Sequence, residues 1–163
     1  MKFELVELTR LSGKKATIYS LLLDDEEITL FDKFVEENDE QFPEEIDSIF
    51  ETIKKIGNRH GNSRNFFKEN EGKLGDLICA LYDTPNSNLR LYCIRLGNAV
   101  IILGGSGYKP KNIKAFQEDE TLKDANYILR TFSHLLHQKM LEGDIYWQGD
   151  MELDGNLTID TDE

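Results

Sequence analysis

The apolar positions of this chain fall into two rhythms, one suited to strands and one to helices. Residues 3–8 and 16–23 are rich in branched and aromatic side chains and are separated by the turn-like Leu11-Ser12-Gly13-Lys14, which predicts two strands paired as a hairpin. Ile28, Phe31, Phe34 and Val35 recur at helical spacing and predict a short amphipathic helix ending near Asn38. A stronger helix follows. Pro43 suits its first turn, Glu44, Glu45 and Asp47 favour its positive end, and Ile46, Ile49, Phe50, Ile53 and Ile56 form one apolar stripe. Lys54 and Lys55 suit the last turn, and Gly57 is the expected stop.

Residues 58–75 are polar, basic and glycine-bearing, and read as a loop or a broken helix. Residues 77–82, 89–96 and 99–104 then read as three strands of an antiparallel meander, the last two joined by Gly97-Asn98. Gly104-Gly105-Ser106-Gly107 is expected to end the third strand in a tight bend; without a following Gly-Lys-Ser or Gly-Lys-Thr it is not a P-loop. Thr121 and Asp124 resemble a capping box for a final helix, with Leu122, Ala125, Ile128, Phe132, Leu135, Leu136 and Met140 on one face and Gly143 at its end. These elements predict an α+β fold: a small twisted antiparallel sheet, made of the N-terminal strands and the meander, with helices packed on one face. Residues 1–143 are expected to form a single domain, and residues 144–163 an acidic tail or a small hairpin around Asp154-Gly155.

Charge changes this picture. The net charge is −12, which argues against a nucleic-acid partner, but it is unevenly spread. Residues 1–50 carry 5 basic and 14 acidic side chains, residues 51–115 carry 11 and 5, and residues 116–163 carry 3 and 12. A basic island between acidic flanks suits a polyanion site, and acidic flanks also suit solvated helix faces and an exposed tail. The tail could fold over the basic island and block it. Cys79 and Cys93 read as core residues; being symmetric about Asn86, they would face each other in a hairpin, where a redox pair is the alternative. His60, His134 and His137 form no ligand set with them, so no metal and no cofactor are expected. The longest apolar runs are too short to span a bilayer and the N-terminus lacks a secretory pattern, which predicts a cytoplasmic protein.

Four short words in the middle of the chain carry a resemblance. They are Gly72-Lys73-Leu74-Gly75-Asp76-Leu77, Asn88-Leu89-Arg90-Leu91-Tyr92-Cys93, Gly97-Asn98-Ala99-Val100-Ile101-Ile102-Leu103 and Tyr108-Lys109-Pro110-Lys111. In this order and spacing, residues 46–114 resemble the RelE/HigB-like toxins of bacterial type II toxin–antitoxin systems. The resemblance implies a metal-independent endonuclease that cleaves mRNA on the ribosome, with an antitoxin partner, typically of helix-turn-helix type. Positive side chains hold the scissile phosphate while the RNA's own 2′-hydroxyl attacks.

On that resemblance Arg90 matches the family's strand arginine, Lys73 the lysine before the first meander strand, and Lys109 the basic residue after the third; these three are the expected catalytic residues. Lys111, Tyr108, Arg64 and Lys68 are the expected RNA contacts. The chain departs from the family on the first meander strand, where RelE-type members carry lysines and residues 77–82 carry none. The alternative expectation is therefore a noncatalytic protein-binding module on the same scaffold.

Overall fold

The computed structural model describes residues 1–68, 78–81, 83–84, 86–108 and 120–161. Strands β1 (Lys2–Glu7) and β2 (Thr17–Leu23) pair antiparallel, as their composition predicts. Helices α1 (Leu30–Asn38) and α2 (Pro43–Lys55) follow, then β3 (Phe67–Lys68), β4 (Ile78–Leu81), β5 (Leu89–Leu96) and β6 (Val100–Tyr108). Helix α3 (Glu120–Glu142) leads into β7 (Ile145–Gln148), β8 (Glu152–Gly155) and β9 (Thr158–Asp160). The main sheet has seven strands in the order β3-β4-β5-β6-β2-β1-β9, and β7 and β8 form a separate hairpin. The mixed α+β class is as expected. Among the described residues no helix is long and apolar enough to cross a membrane.

Two features of the sheet differ from the expectation. It is not wholly antiparallel, because the N-terminal hairpin joins the meander through a parallel β2–β6 pair with Ser20 opposite Leu103. Nor do the helices share one face. Ile18, Ile101 and Leu103 pack with Phe31, Phe34, Ile46 and Ile53 on the α1/α2 side. Tyr19, Leu21, Val100 and Ile102 pack with Leu129, Phe132 and Leu136 on the α3 side. The central strands are buried on both faces, which is why residues 99–103 read as a continuous apolar run rather than an alternation. Ser20 is a buried polar group at this junction. Its hydroxyl donates to the Leu103 carbonyl at 2.7 Å and accepts from the Phe31 amide at 3.2 Å, so strand, strand and helix are tied at one oxygen.

The glycines act differently from their predicted roles. Gly57 does not stop α2; the chain continues through a π turn, Ile56–His60, and turns away at Gly61, where φ is +65°. Gly57 instead allows a close approach, since a Cβ there would sit 2.6 Å from the Leu11 carbonyl oxygen. The 104–107 segment does not end the strand, because β6 runs through it to Tyr108, with a shift of register against β5 between Leu103 and Ser106. Gly104 lies under α3, where an added Cβ would meet Leu129 Cδ1 at 2.5 Å. The β5–β6 turn spans three residues, 97–99, with Gly97 at φ +59° and the Trp147 indole against it. Thr121 lies within α3 rather than capping it, while Gly143, at φ +83°, does close the helix.

The C-terminal segment, residues 144–161, is built into the fold. The hairpin turns at residues 149–151 rather than at Asp154-Gly155, and β9 extends the sheet beside β1. Ile145, Leu153 and Ile159 join the α3-side core. The Tyr19 hydroxyl accepts the Leu153 amide at 3.1 Å; burial pushes the Tyr19 phenol upward, and that hydrogen bond pulls it back. Strand β9 sits at the sheet edge opposite β3, so the segment does not fold over the β3–β4 side as a blocking tail would.

Candidate functional site

The β4–β5 pair is in the register expected from symmetry about Asn86. Cys79 stands opposite Cys93 and Ala80 opposite Tyr92. On β5, Leu89, Leu91 and Cys93 face the α1/α2 side while Tyr92 and Ile94 face α3, so alternation puts Arg90 on the α3 side. Across the β5–β6 ladder Arg90 is opposite Gly107, and its neighbour Leu89 is opposite Tyr108. The strand arginine and the tyrosine that opens the Tyr108-Lys109-Pro110-Lys111 word therefore meet at one end of the sheet.

Arg90 is engaged. Its Nε donates to Asp83 Oδ2 at 3.1 Å, and the two side chains retain only 13% and 9% of their exposure. Asp83 was not among the expected site residues. The hairpin symmetry sets it across from Leu89, one residue off Arg90, so the register alone does not pair the two. A phosphate entering here would have to compete with this carboxylate for the guanidinium.

Asp83 also lines a cleft of about 150 Å³ between α2 and the β4–β5 loop, with Glu45, Ser48, Thr52, Thr84 and Ser87 at its polar rim and Leu81, Leu89 and Leu91 among its apolar lining. Glu45 ties the loop to α2: its Oε1 accepts from the amides of Asn88 (2.8 Å) and Leu89 (3.1 Å), and its Oε2 from Asn88 Nδ2 (2.9 Å). The start of β5, and with it Arg90, is thereby positioned by a helix it does not belong to.

The remaining expected residues divide. Lys73, Lys109 and Lys111 lie outside the described residues. Arg64 lies in a 3-10 turn (Arg64–Phe66), and Lys68 on β3 pairs with Ala80. Lys68 and Ile78, the described residues flanking the Lys73 segment, belong to the part of the sheet where Ile78 pairs with Ile94, four residues along β5 from Arg90. A second arginine on β5 was not expected as a fixed element. Arg95 donates from Nη2 to the Asn62 carbonyl at 3.1 Å and from Nε to the Asn62 side chain, and its Cζ lies 5.0 Å from the centre of the Phe67 ring. Its guanidinium braces the segment after α2 against the sheet. His60 packs against Phe66 with ring centres 5.0 Å apart and the rings tilted by 40°.

The two cysteines are free and buried, with sulfurs 3.5 Å apart. Burial pushes the Cys93 thiol well above the ordinary range, the adjacent Cys79 adds to this, and Arg95 opposes it. No group of three or more histidine, cysteine or acidic side chains able to hold a metal occurs among the described residues. No protein-family model, curated protein or solved structure matches the chain.

Proposed function

We propose that this chain is a toxin-like, metal-independent mRNA endonuclease of the RelE/HigB-like kind, acting on ribosome-bound mRNA and held in check by an antitoxin protein. One observation carries the reading: the β5–β6 register sets Arg90 beside Gly107 and Tyr108, so the strand arginine and the tyrosine that opens the last word share one end of the sheet. In the proposed reaction the 2′-oxygen attacks phosphorus, the bond to the 5′-oxygen breaks, and the products are a 2′,3′-cyclic phosphate and a 5′-hydroxyl. Negative charge grows on the phosphoryl oxygens, where a guanidinium stabilises it. Arg90 takes this role once the phosphate displaces Asp83, with Lys73 and Lys109 as the further cations.

Inducible expression tests the reading, with growth and mRNA 5′ ends as readouts. Growth arrest with new 5′-hydroxyl ends is the expected result. Unimpaired growth with intact messages overturns it.

The near-closed Arg90–Asp83 pair favours a second reading, a noncatalytic protein-binding module in which the guanidinium is structural. Asp83→Asn separates the two. If the carboxylate competes with the substrate, the variant cleaves at least as well as the parent; in a binding module neither protein cleaves.

A further inference from the structure

A group of cations unrelated to Arg90 lies where two chain segments lock together. The β1–β2 turn contributes Lys14 and Lys15, and the end of α2 with its π turn contributes Lys54, Lys55 and Arg59; all five are exposed. The Gly57 carbonyl accepts the amides of Lys15 (2.8 Å) and Ala16 (3.1 Å). Asn58 Nδ2 donates to the Lys54 carbonyl at 2.9 Å. Gly13 and Gly57 make this approach possible, since a Cβ on Gly13 would sit 2.5 Å from the Gly57 carbonyl oxygen. The two basic segments are thus held side by side by main-chain bonds and do not depend on flexible side chains for their placement.

None of the five cations has an ion-pair partner among the described residues, in a protein of net charge −12. Elsewhere acids find bases, as with Lys2 and Asp25 or Arg10 and Asp32. Leaving five like charges together costs repulsion that an anionic partner relieves. Glu51, one turn earlier on α2, is the acid closest in sequence on this face. Beyond Gly13 the surface changes sign, where Glu7, Asp150 and Glu152 line a groove with Ser12 and Thr17. That acidic border confines an anionic chain to the α2 side.

We infer that this surface is a docking site for the phosphate backbone of double-stranded RNA, separate from the Arg90 end of the sheet. Point charges dominate it, and its imidazole, His60, is already packed against the Phe66 ring, so it suits phosphates of a helix better than unstacked bases. Lys54, Lys55 and Arg59 lie along the end of α2 and its π turn, and the turn lysines Lys14 and Lys15 widen the row. The inference rests on the proposed function only in taking RNA as the polyanion. It requires no cleavage.

The test is fluorescence anisotropy with the full chain and a labelled RNA duplex of about 20 base pairs, at salt between about 50 and 200 mM. The parent should bind, with log affinity falling linearly in log salt. Lys14→Glu/Lys15→Glu/Lys54→Glu/Arg59→Glu should bind at least about tenfold more weakly with a shallower salt slope. Lys33→Glu, on α1, should bind as the parent does. Equal binding by parent and quadruple variant, with both folded by circular dichroism, overturns the inference. So does binding of polyglutamate but not of RNA, which would make the partner an acidic protein. If duplex binding is lost in the quadruple variant while the parent cleaves no message, the surface stands and the endonuclease reading falls.

Discussion

Arg90 and Asp83 close an ion pair that is nearly shut off from solvent at the point where β5 leaves the β4–β5 loop. Removing one partner of such a pair leaves the other charge buried. Arg90→Ala should therefore cost about 3 kcal/mol of stability, while Arg90→Met with Asp83→Leu should lie close to the parent. Urea denaturation midpoints measure both. Parental stability in Arg90→Ala would show the pair to be structurally idle, so that any loss of toxicity in that variant reports on chemistry alone.

Helix α3 rests on the sheet at Gly104. A methyl group there would overlap the Leu129 side chain, so Gly104→Ala should destabilise by about 2 kcal/mol. Leu129→Ala in the same background should recover part of the loss, giving a non-additive cycle by thermal or chemical denaturation.

The thiols of Cys79 and Cys93 should be silent toward a soluble disulfide reagent in the folded protein and react together on unfolding, since both are buried and the Cys93 thiolate is disfavoured. The sign for stability follows. The folded chain holds the Cys93 proton beyond the pH at which an unfolded thiol releases it. This contribution is whole below the ordinary thiol range and is lost as pH rises from that range toward the higher folded value. Cys93→Ala, compared with the parent across alkaline pH, should flatten that part of the decline.

Ending the chain before Asp144 should unfold it. Ile145, Leu153 and Ile159 are at most 4% exposed. Losing three such side chains removes about 5–9 kcal/mol of apolar burial, comparable with the whole stability of a typical domain. The loss of β9 also uncovers β1 as an edge. Loss of a cooperative melting transition is the expected readout; a truncated chain that melts like the parent would contradict it.

Much of the local structure was legible because local patterns control it. The stripe from Ile46 to Ile56 predicted α2, and the symmetry of Cys79 and Cys93 about Asn86 predicted their pairing. What was not legible depends on distant partners. The second helical layer requires knowing that Ile18 and Tyr19 are both buried, on opposite faces, and Gly104 reads as a bend until Leu129 is set against it. The C-terminal segment read as an acidic tail or a small hairpin; the hairpin forms, with its turn elsewhere, and Ile145, Leu153 and Ile159 bind the segment to the core. At the candidate site, Arg90 was found through its place in a word. Asp83 and Glu45, which hold it and its strand, were found only through contacts across the loop.

The parallel β2–β6 pair has a kinetic consequence. Ser20 and Leu103 are 83 residues apart, and between them lie both α1/α2-layer helices and the strands of the meander. The centre of the sheet therefore cannot zip up from a local turn; a long loop must close first, at an entropic cost paid before these contacts form. Refolding should be slow for a chain of this length, with the N-terminal hairpin and the meander able to exist as separate, sticky fragments until residue 20 finds residue 103.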